Sequence, residues 1–445
     1  MGPVHAPTVQ GSTVHVIGAG LAGLSAAVHL ADAGRRVVVH EAARAAGGRC
    51  RSYHDPALGL DIDNGNHLLL SGNRAALDYL ARTGAPADAL TGPDRAEFPF
   101  VDLATGERWT LRPNDGRLPW WVLVAGRRVP GSRPRDYLAP LGILRSPPGR
   151  TIGASMDCSG GLYERLWHPV LLAALNTDPV ESEAALAAAI LRETLGAGGR
   201  ACRPLVATRG LSYAFVDPAL AHLAQAGGEV RFGERLRALD LDGDRVRALD
   251  FASGRTALSE GDAVVLALPS WVAEDLVPDL AVPQAHRAIV NAHFAVVPPP
   301  GSPPVLGVVN GLVEWLFAYP DRLSVTISGA DRLLDVPREE LARRIWDEVA
   351  RLAGIGPTLA PNPLALKLPP WQIVREKRAT FAATPAEAAR RPAAATRWGN
   401  LALAGDWTAT GLPATIEGAI RSGATAARVI ADAVARGEGA ARRAA

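Results

Sequence analysis

The chain has 445 residues, of which 48% are hydrophobic and 21% charged, and its formal net charge is +2. That length allows two or three hydrophobic cores, and the near balance of charge excludes a broad electrostatic case for nucleic acid. Three cysteines, Cys50, Cys158 and Cys202, have neither metal-ligand nor redox spacing and are too few for a disulfide framework, so a reducing, cytoplasmic compartment and no metal site are expected. No secretory signal is visible, and no window approaches about 18 uninterrupted apolar residues, so a spanning helix is not expected. Peripheral contact with the inner face of a membrane stays open.

In chain order, Thr13 to Ile17 is an apolar, β-branched run that predicts a strand. Gly18-Ala19-Gly20-Leu21-Ala22-Gly23 follows at once. Leu24, Ala27, Val28 and Ala31 then recur at helical spacing until Gly34. Arg36 to His40 predicts a second strand, ending at Glu41. In that setting Gly18 permits a tight turn, Gly20 lets a pyrophosphate approach the backbone, and Gly23 lets helix and strand pack closely. The helix start offers N–H groups and a positive dipole end to phosphates. Glu41 is placed to accept both ribose hydroxyls. A carboxylate there disfavours a 2′-phosphate, which leaves FAD or NAD. Gly47-Gly48-Arg49 comes next, where the backbone can pass close to a ligand while a guanidinium reaches a phosphate.

Residues 118–130, "LPWWVLVAGRRVP", read either as a buried apolar strand with a basic turn or as an interfacial element, with Trp at headgroup depth and Arg reaching phosphates. The stretch 160–195 is helical in pattern and apolar, with Trp167, Leu171, Leu175 and Leu186. Asn176-Thr177 inside it needs partners if buried, or lines a substrate cavity. Around 229–252 a hairpin is expected, turning at Asp242-Gly243-Asp244. Pro298–Pro304 is a proline-rich connector. Leu401 to Ala404 predicts a strand, followed by Gly405-Asp406, where a carboxylate could hold a ribityl hydroxyl. Thr415 to Ile430 predicts a helix with Gly418 and Gly423 available for close packing, and the tail after about Arg436 is expected to be weakly ordered.

"GGRCRS" at 47–52, "DNGNHLLL" at 63–70, "RLWHPVLLAALNT" at 165–177, "VVLALP" at 264–269 and "AGDWTATGLPATIEGAIRSG" at 404–423 together resemble the FAD-dependent amine oxidase and phytoene desaturase superfamily. Within it the chain resembles the hydroxysqualene dehydroxylase family, also called squalene-associated FAD-dependent desaturases. The family usually has Gln where this chain has Asn66. The resemblance implies an α/β fold: a Rossmann-like FAD-binding domain from residues 12–70, 206–270 and 376–445, with a discontinuous α+β substrate domain from 71–205 and 271–375. It implies FAD contacts from Gly18, Gly20, Leu21, Ala22, Gly23, Glu41, Gly48, Arg49, Asn64, Gly65, the backbone of Leu236 at the adenine, Gly405, Asp406, Pro413, Ala414 and Thr415.

Amine oxidases of this superfamily carry a lysine near the flavin N5 and an aromatic pair before the ring. Here the expected lysine segment reads "IVNAHFAVVP" with His293, and Leu412-Pro413 stands where an aromatic-Pro pair is usual. An aliphatic wall suits an apolar chain better than an amine. The resemblance therefore implies reductive removal of an allylic hydroxyl from a long isoprenoid, hydroxysqualene, with electrons from an external donor of open identity. Another isoprenoid desaturase, or a non-catalytic lipid carrier on the same fold, are the alternatives. His67 is the expected proton donor, with His293 and Asp63 behind it. Trp167, Asn176, Thr177, His293 and Leu412 are the expected substrate contacts.

Overall fold

The computed structural model describes residues 12–355 and 367–444, with side chains to residue 435. β1 (Thr13–Ile17), α1 (Leu21–Asp32) and β2 (Arg36–Glu41) follow the expected strand, helix, strand order. They open a five-stranded parallel sheet in the order Glu229–Phe232, β2, β1, Ala263–Leu266, Leu401–Leu403. Parallel pairing buries both faces, and β1 is buried from Val14 to Ile17. α1 is buried nearly all round because the helix Ile416–Ala444 lies against it. At Gly423 a Cβ would stand 2.2 Å from the Ala22 carbonyl oxygen, so that contact needs glycine. The helix runs on past Ile430 to Ala444, through the tail expected to lose order.

A second, seven-stranded sheet runs Trp371–Phe381, His286–Phe294, Leu323–Ile327, Trp315–Ala318, Val305–Val309, Phe98–Asp102, Arg108–Leu111. Alternate residues of His286–Phe294 face opposite ways. Val290, Ala292 and Phe294 pack on the helix Arg338–Ala353 through Leu341, Ile345, Trp346 and Val349. Asn291 and His293 face the other side, where Asn291 meets the loop 63–67. Trp371–Phe381 pairs antiparallel with His286–Phe294. Residues 376–381 therefore belong to this second sheet, not to the nucleotide half assigned to them from sequence.

The hairpin forms as expected, Leu236–Asp242 against Arg245–Phe251, with Gly243 at φ +59° in the turn. Two local readings change. Residues 118–130 form short 3₁₀ turns, Trp120–Leu123 and Ala125–Arg127, in place of a strand. The run from 160 is helical only to Leu175. There Asn176 adopts φ +51° and ends the helix, and helix resumes at Ala184–Glu193.

Candidate active site

The chain crosses from β1 into α1 through a turn that tolerates little besides glycine. Gly18 sits at φ +105°, and a Cβ there would lie 2.5 Å from the Ala267 oxygen. A Cβ on Gly23 would lie 1.9 Å from the Gly18 oxygen. Gly20 is different: nothing approaches within 4 Å of the position its Cβ would take. No side chain caps α1 and no acidic residue lies in its first turn, so the N–H groups of Leu21, Ala22 and Gly23 are left for an anion. Open space over Gly20 beside these donors fits a dinucleotide pyrophosphate.

Residues 47–48 lie against this turn. The Gly47 N–H donates to the Ala19 oxygen (2.8 Å), and a Cβ on Gly48, at φ +57°, would stand 3.3 Å from the Gly20 Cα. Glu41 accepts N–H bonds from Ala19 and Ala43, both 2.8 Å, one on each oxygen. Each oxygen keeps a lone pair for a hydroxyl. The Glu234 N–H donates to the Glu41 carbonyl (2.9 Å), which brings Leu236 close to the same end of the sheet.

Arg49 departs from expectation. Its Nη2 donates to both carboxylate oxygens of Asp406 at 2.8 Å, and its Nη1 donates to the Ala379 carbonyl. The residue expected at a phosphate and the residue expected at a ribityl hydroxyl therefore satisfy each other. Opposite charges this close in a partly dehydrated cleft attract strongly. The neighbouring carboxylate holds the guanidinium above its ordinary pKa. Arg49 thereby ties three segments together: 47–51, the second sheet at 379, and the 405–408 loop. Asn64 extends the seam, donating to Glu376 at 3.4 Å.

The loop 63–67 is clamped from the second sheet. Asn66 donates from its backbone N–H to the Asn291 side-chain oxygen (3.2 Å), and from Nδ2 to the Val325 carbonyl and Thr326 Oγ1. Tyr319 Oη donates to Asn66 Oδ1 (3.4 Å). A Cβ on Gly65 would come within 3.0 Å of Asn291 Nδ2. Asp63 is buried and accepts from Ser52 Oγ (2.6 Å) and the Leu211 N–H (2.8 Å). Burial still pushes its carboxyl pKa up. His67 is half-buried and has no hydrogen bond to protein among the described residues. Its pKa is pushed down to about 4, by loss of hydration and then by the Arg49 charge.

The other candidates are mostly buried. His293 is fully buried, bonded through Nδ1 to Ser324 Oγ (2.8 Å), and burial pushes its pKa down to about 3. Trp167 lies in the core, edge-on to Tyr137. Asn176 and Thr177 are buried and bonded within the protein. Asn176 accepts from the Gly329 N–H (2.7 Å) and donates to Thr380 Oγ1 (3.0 Å), while Thr177 Oγ1 accepts from the Ala383 N–H (2.9 Å). The need for partners accounts for these polar groups. Leu412 is buried. Thr415 Oγ1 caps the helix Ile416–Ala444 by accepting from the Gly418 N–H at 3.0 Å, with Pro413 and Ala414 leading into it.

Sequence reasoning missed four residues that hold this site. Trp407 anchors the 405–408 loop through an Nε1 bond to the Leu268 carbonyl (2.9 Å), and its ring fills the space a Cβ on Gly405 would need. Buried Arg391 donates to the carbonyls of Asp406 and Thr408. Glu417 accepts the Ala75 and Ala76 N–H groups and pairs with Arg421. Asn291 is the fourth. A lone Asn in the apolar run "AIVNAHF" was a legible signal; Arg391 had none.

The fold and the phosphate turn define a dinucleotide-binding protein, and its relatives make it a flavin-dependent oxidoreductase. Residues 21–431 match the family of flavin-containing amine oxidoreductases. A hydroxysqualene dehydroxylase of Rhodopseudomonas palustris is 57% identical over 94% of this chain and 98% of its own length. One from Zymomonas mobilis is 48% identical over 94% and 98%. Among solved structures, an oxidoreductase from Methanosarcina mazei has a TM-score of 0.68 at 15% identity, covering 93% of this chain and 99% of its own. The chain belongs to the flavin-containing amine oxidoreductases, and within them to the hydroxysqualene dehydroxylase family. Its cofactor is FAD.

Proposed function

We propose that this protein converts hydroxysqualene to squalene by FAD-dependent reductive dehydroxylation. The observation that carries the reading is relationship over nearly the whole chain to two enzymes of that name. Reduced flavin, when bound, supplies the hydride. The chain's own residues do the rest. In this reading the α1 N–H groups at Leu21, Ala22 and Gly23, beside Gly18 and Gly20, would hold the pyrophosphate, and Glu41 would hold the ribose. The Leu236 backbone meets the adenine. Gly48, Arg49, Asn64, Gly65, Gly405, Asp406, Pro413, Ala414 and Thr415 line the flavin end.

The substrate's hydroxyl is a poor leaving group and needs a proton at oxygen. Of the three candidates, Asp63 and His293 are buried, Asp63 bonded to Ser52 and the Leu211 N–H and His293 through Nδ1 to Ser324, with its Nε2 left unpaired among the described residues. His67 alone combines partial exposure with a free imidazole, so we assign it the proton. With a pKa near 4 it is neutral at pH 7, and it acts through its small protonated fraction.

Two cavities bear on the substrate's chain. One of about 560 Å³ mixes charged lining residues such as Glu164, Glu314 and Arg332 with apolar ones such as Pro169, Leu172 and Val308. Such charge does not suit a C30 hydrocarbon. Another of about 340 Å³ is lined by Val206, Val297, Pro298, Pro304 and Tyr319, with room for part of the chain. Tyr319 reaches from it to Asn66, next to His67. A substrate this apolar resides in lipid, so peripheral membrane contact belongs to the reading. Among the described residues no helix is long and apolar enough to cross a membrane.

Anaerobic incubation with hydroxysqualene and reduced FAD, with product identification by mass spectrometry, tests the proposal. Squalene is expected. A more desaturated isoprenoid formed only with oxidised flavin would replace this reading with that of a desaturase.

A further inference from the structure

Exposed apolar surface is concentrated in one place. Of the nine large apolar side chains most open to solvent among the described residues, six lie between 118 and 141: Leu118 (78% exposed), Leu123 (69%), Leu138 (60%), Trp120 (45%), Val124 (42%) and Leu141 (39%). They stand on neighbouring short elements. The 3₁₀ turns Trp120–Leu123 and Pro134–Leu138 pack on each other. Trp121 and Tyr137 turn inward and meet edge to face at 5.2 Å. Their sequence neighbours Trp120 and Leu138 are left outside. Trp121 is buried at 7% exposure, so the patch is mounted on a fixed base.

Charge is concentrated in the same place. Residues 112–150 contain eight arginines, two aspartates and no glutamate or lysine, in a chain whose net charge is only +2. The rest of the molecule is therefore net negative. Arg117, Arg133, Arg135 and Arg145 are exposed in the same stretch, and Arg127 lies over the Trp120 ring at 4.8 Å. Asp136 is occupied by the Arg133 N–H.

We propose that residues 117–145 form a docking surface for an anionic phospholipid bilayer. Leu118, Trp120, Leu123 and Leu138 enter the acyl boundary while the arginines meet lipid phosphates. Exposed apolar side chains interspersed with arginines are the pattern that interface selects. A second copy of this chain fits poorly, because a two-fold interface sets the patch against itself and brings arginine against arginine. The surface rests on the proposed reaction only for its purpose, delivery of an isoprenoid from lipid.

Sedimentation of the full-length flavoprotein with sucrose-loaded vesicles tests it. Partitioning onto vesicles of 30% phosphatidylglycerol in phosphatidylcholine should exceed that onto pure phosphatidylcholine by about 10-fold or more, and should weaken at high salt. The double variant Leu118→Glu/Leu123→Glu should lose about 10-fold or more in partitioning, and Arg117→Glu/Arg133→Glu should remove the preference for anionic vesicles. Both pairs are exposed, and a thermal melt checks their fold. Leu138→Asp alone is the fallback if either pair fails it. Equal sedimentation of wild type and variants would overturn the proposal. So would a wild type that ignores vesicles but forms a dimer the same substitutions break. Turnover of detergent-dispersed hydroxysqualene should stay within about two-fold in all variants. A wild type that binds vesicles but makes no squalene would sink the reaction and leave the docking surface standing.

Discussion

Around β1 and α1 the groups offered to a ligand are backbone groups, and what shapes them is the absence of side chains at Gly18, Gly20 and Gly23. Where the two sheets meet, the groups are side chains, and they are held by partners hundreds of positions away, such as Asn66 by Asn291 and Arg49 by Asp406. The first arrangement is local in sequence and has almost no freedom. The second is distributed, and its parts can be exchanged singly. A change in the first region should therefore damage folding and flavin binding together, whereas changes in the second should separate them.

The largest effect is expected at Gly23. An alanine methyl 1.9 Å from the Gly18 oxygen cannot be accommodated without moving the turn or α1. Overpacking typically costs about 1–3 kcal/mol, and a clash with backbone that cannot swing aside puts this case at about 3 kcal/mol or more. Gly23→Ala should melt much earlier and purify with little flavin. Gly20→Ala is the contrast, because its Cβ meets no protein atom: the apoprotein should keep its melting temperature while FAD affinity falls. Equal melting temperatures for Gly23→Ala and wild type would break the comparison at its strongest point.

His67 comes next. His67→Gln should retain flavin and lose turnover by about 10²-fold or more, the usual contribution of a positioned acid. The pH profile gives the sign. With a pKa near 4, the protonated fraction rises about ten-fold for each unit the pH falls from 7 toward 4. The single-turnover rate should rise in step, and the Gln variant should be flat. Stability moves the other way. His15 and His67 near 4 and His293 near 3 bind fewer protons folded than unfolded below about 6.5. Their contribution is complete above that pH and shrinks as pH falls toward 4. Rates should thus be read over short times on protein of checked flavin occupancy. A rate independent of pH between 5 and 7 would move the proton to bound water.

Asn176 probes the distributed region without touching the cleft. Asn176→Ala removes the acceptor for the Gly329 N–H and the donor to Thr380, and leaves a non-glycine residue at φ +51°. A buried group left unpaired costs about 1–3 kcal/mol, so a loss of about 2–3 kcal/mol is expected in denaturant melts, with the KM for substrate unchanged. Asn176→Gly should lose less, because glycine accepts that backbone conformation. A raised KM with normal stability would restore Asn176 to the substrate contacts.

The same contrast explains what could be read from sequence. The turn at 18–23, the strand and helix flanking it, and the hairpin at 242–244 were legible because each is set within a few residues by glycine, periodicity and turn chemistry. Arg49 and Asp406 were picked out singly, but their pairing spans 357 positions, and nothing local in either segment encodes it. The run at 160–195 looked like one helix because its apolar spacing carries on through Asn176. Only tertiary bonds from Gly329 and Thr380 reveal why the chain turns there. Of the two readings of residues 118–130, the strand fails for the opposite reason. An apolar run favours a strand when buried, but with Leu118 and Leu123 in solvent no sheet pairing rewards extension, and Pro119 starts a tight turn.

Glu41 joins the two halves of the comparison and carries the smallest effect. It is a side chain, yet in the folded chain it acts on backbone, accepting the Ala19 and Ala43 N–H groups at 2.8 Å. Glu41→Ala therefore removes two things: the proposed acceptor of ribose hydroxyls and a brace on the phosphate turn. Loss of the charged hydrogen bonds to ligand should cost about 1.5–3 kcal/mol, weakening FAD binding roughly 10- to 150-fold. Glu41→Gln separates the two roles. The amide oxygen can still accept one backbone N–H, but its nitrogen cannot accept a second, and the neutral group accepts hydroxyls less strongly. If the ribose contact dominates, Gln should recover part of the affinity and little of the melting temperature lost in Ala. If the brace dominates, affinity and melting temperature should fall together in both variants, in proportion. Titration of apoprotein with FAD, followed by flavin fluorescence quenching and paired with a melt of the same sample, distinguishes these. Unchanged affinity in Glu41→Ala would place the ribose on other groups altogether.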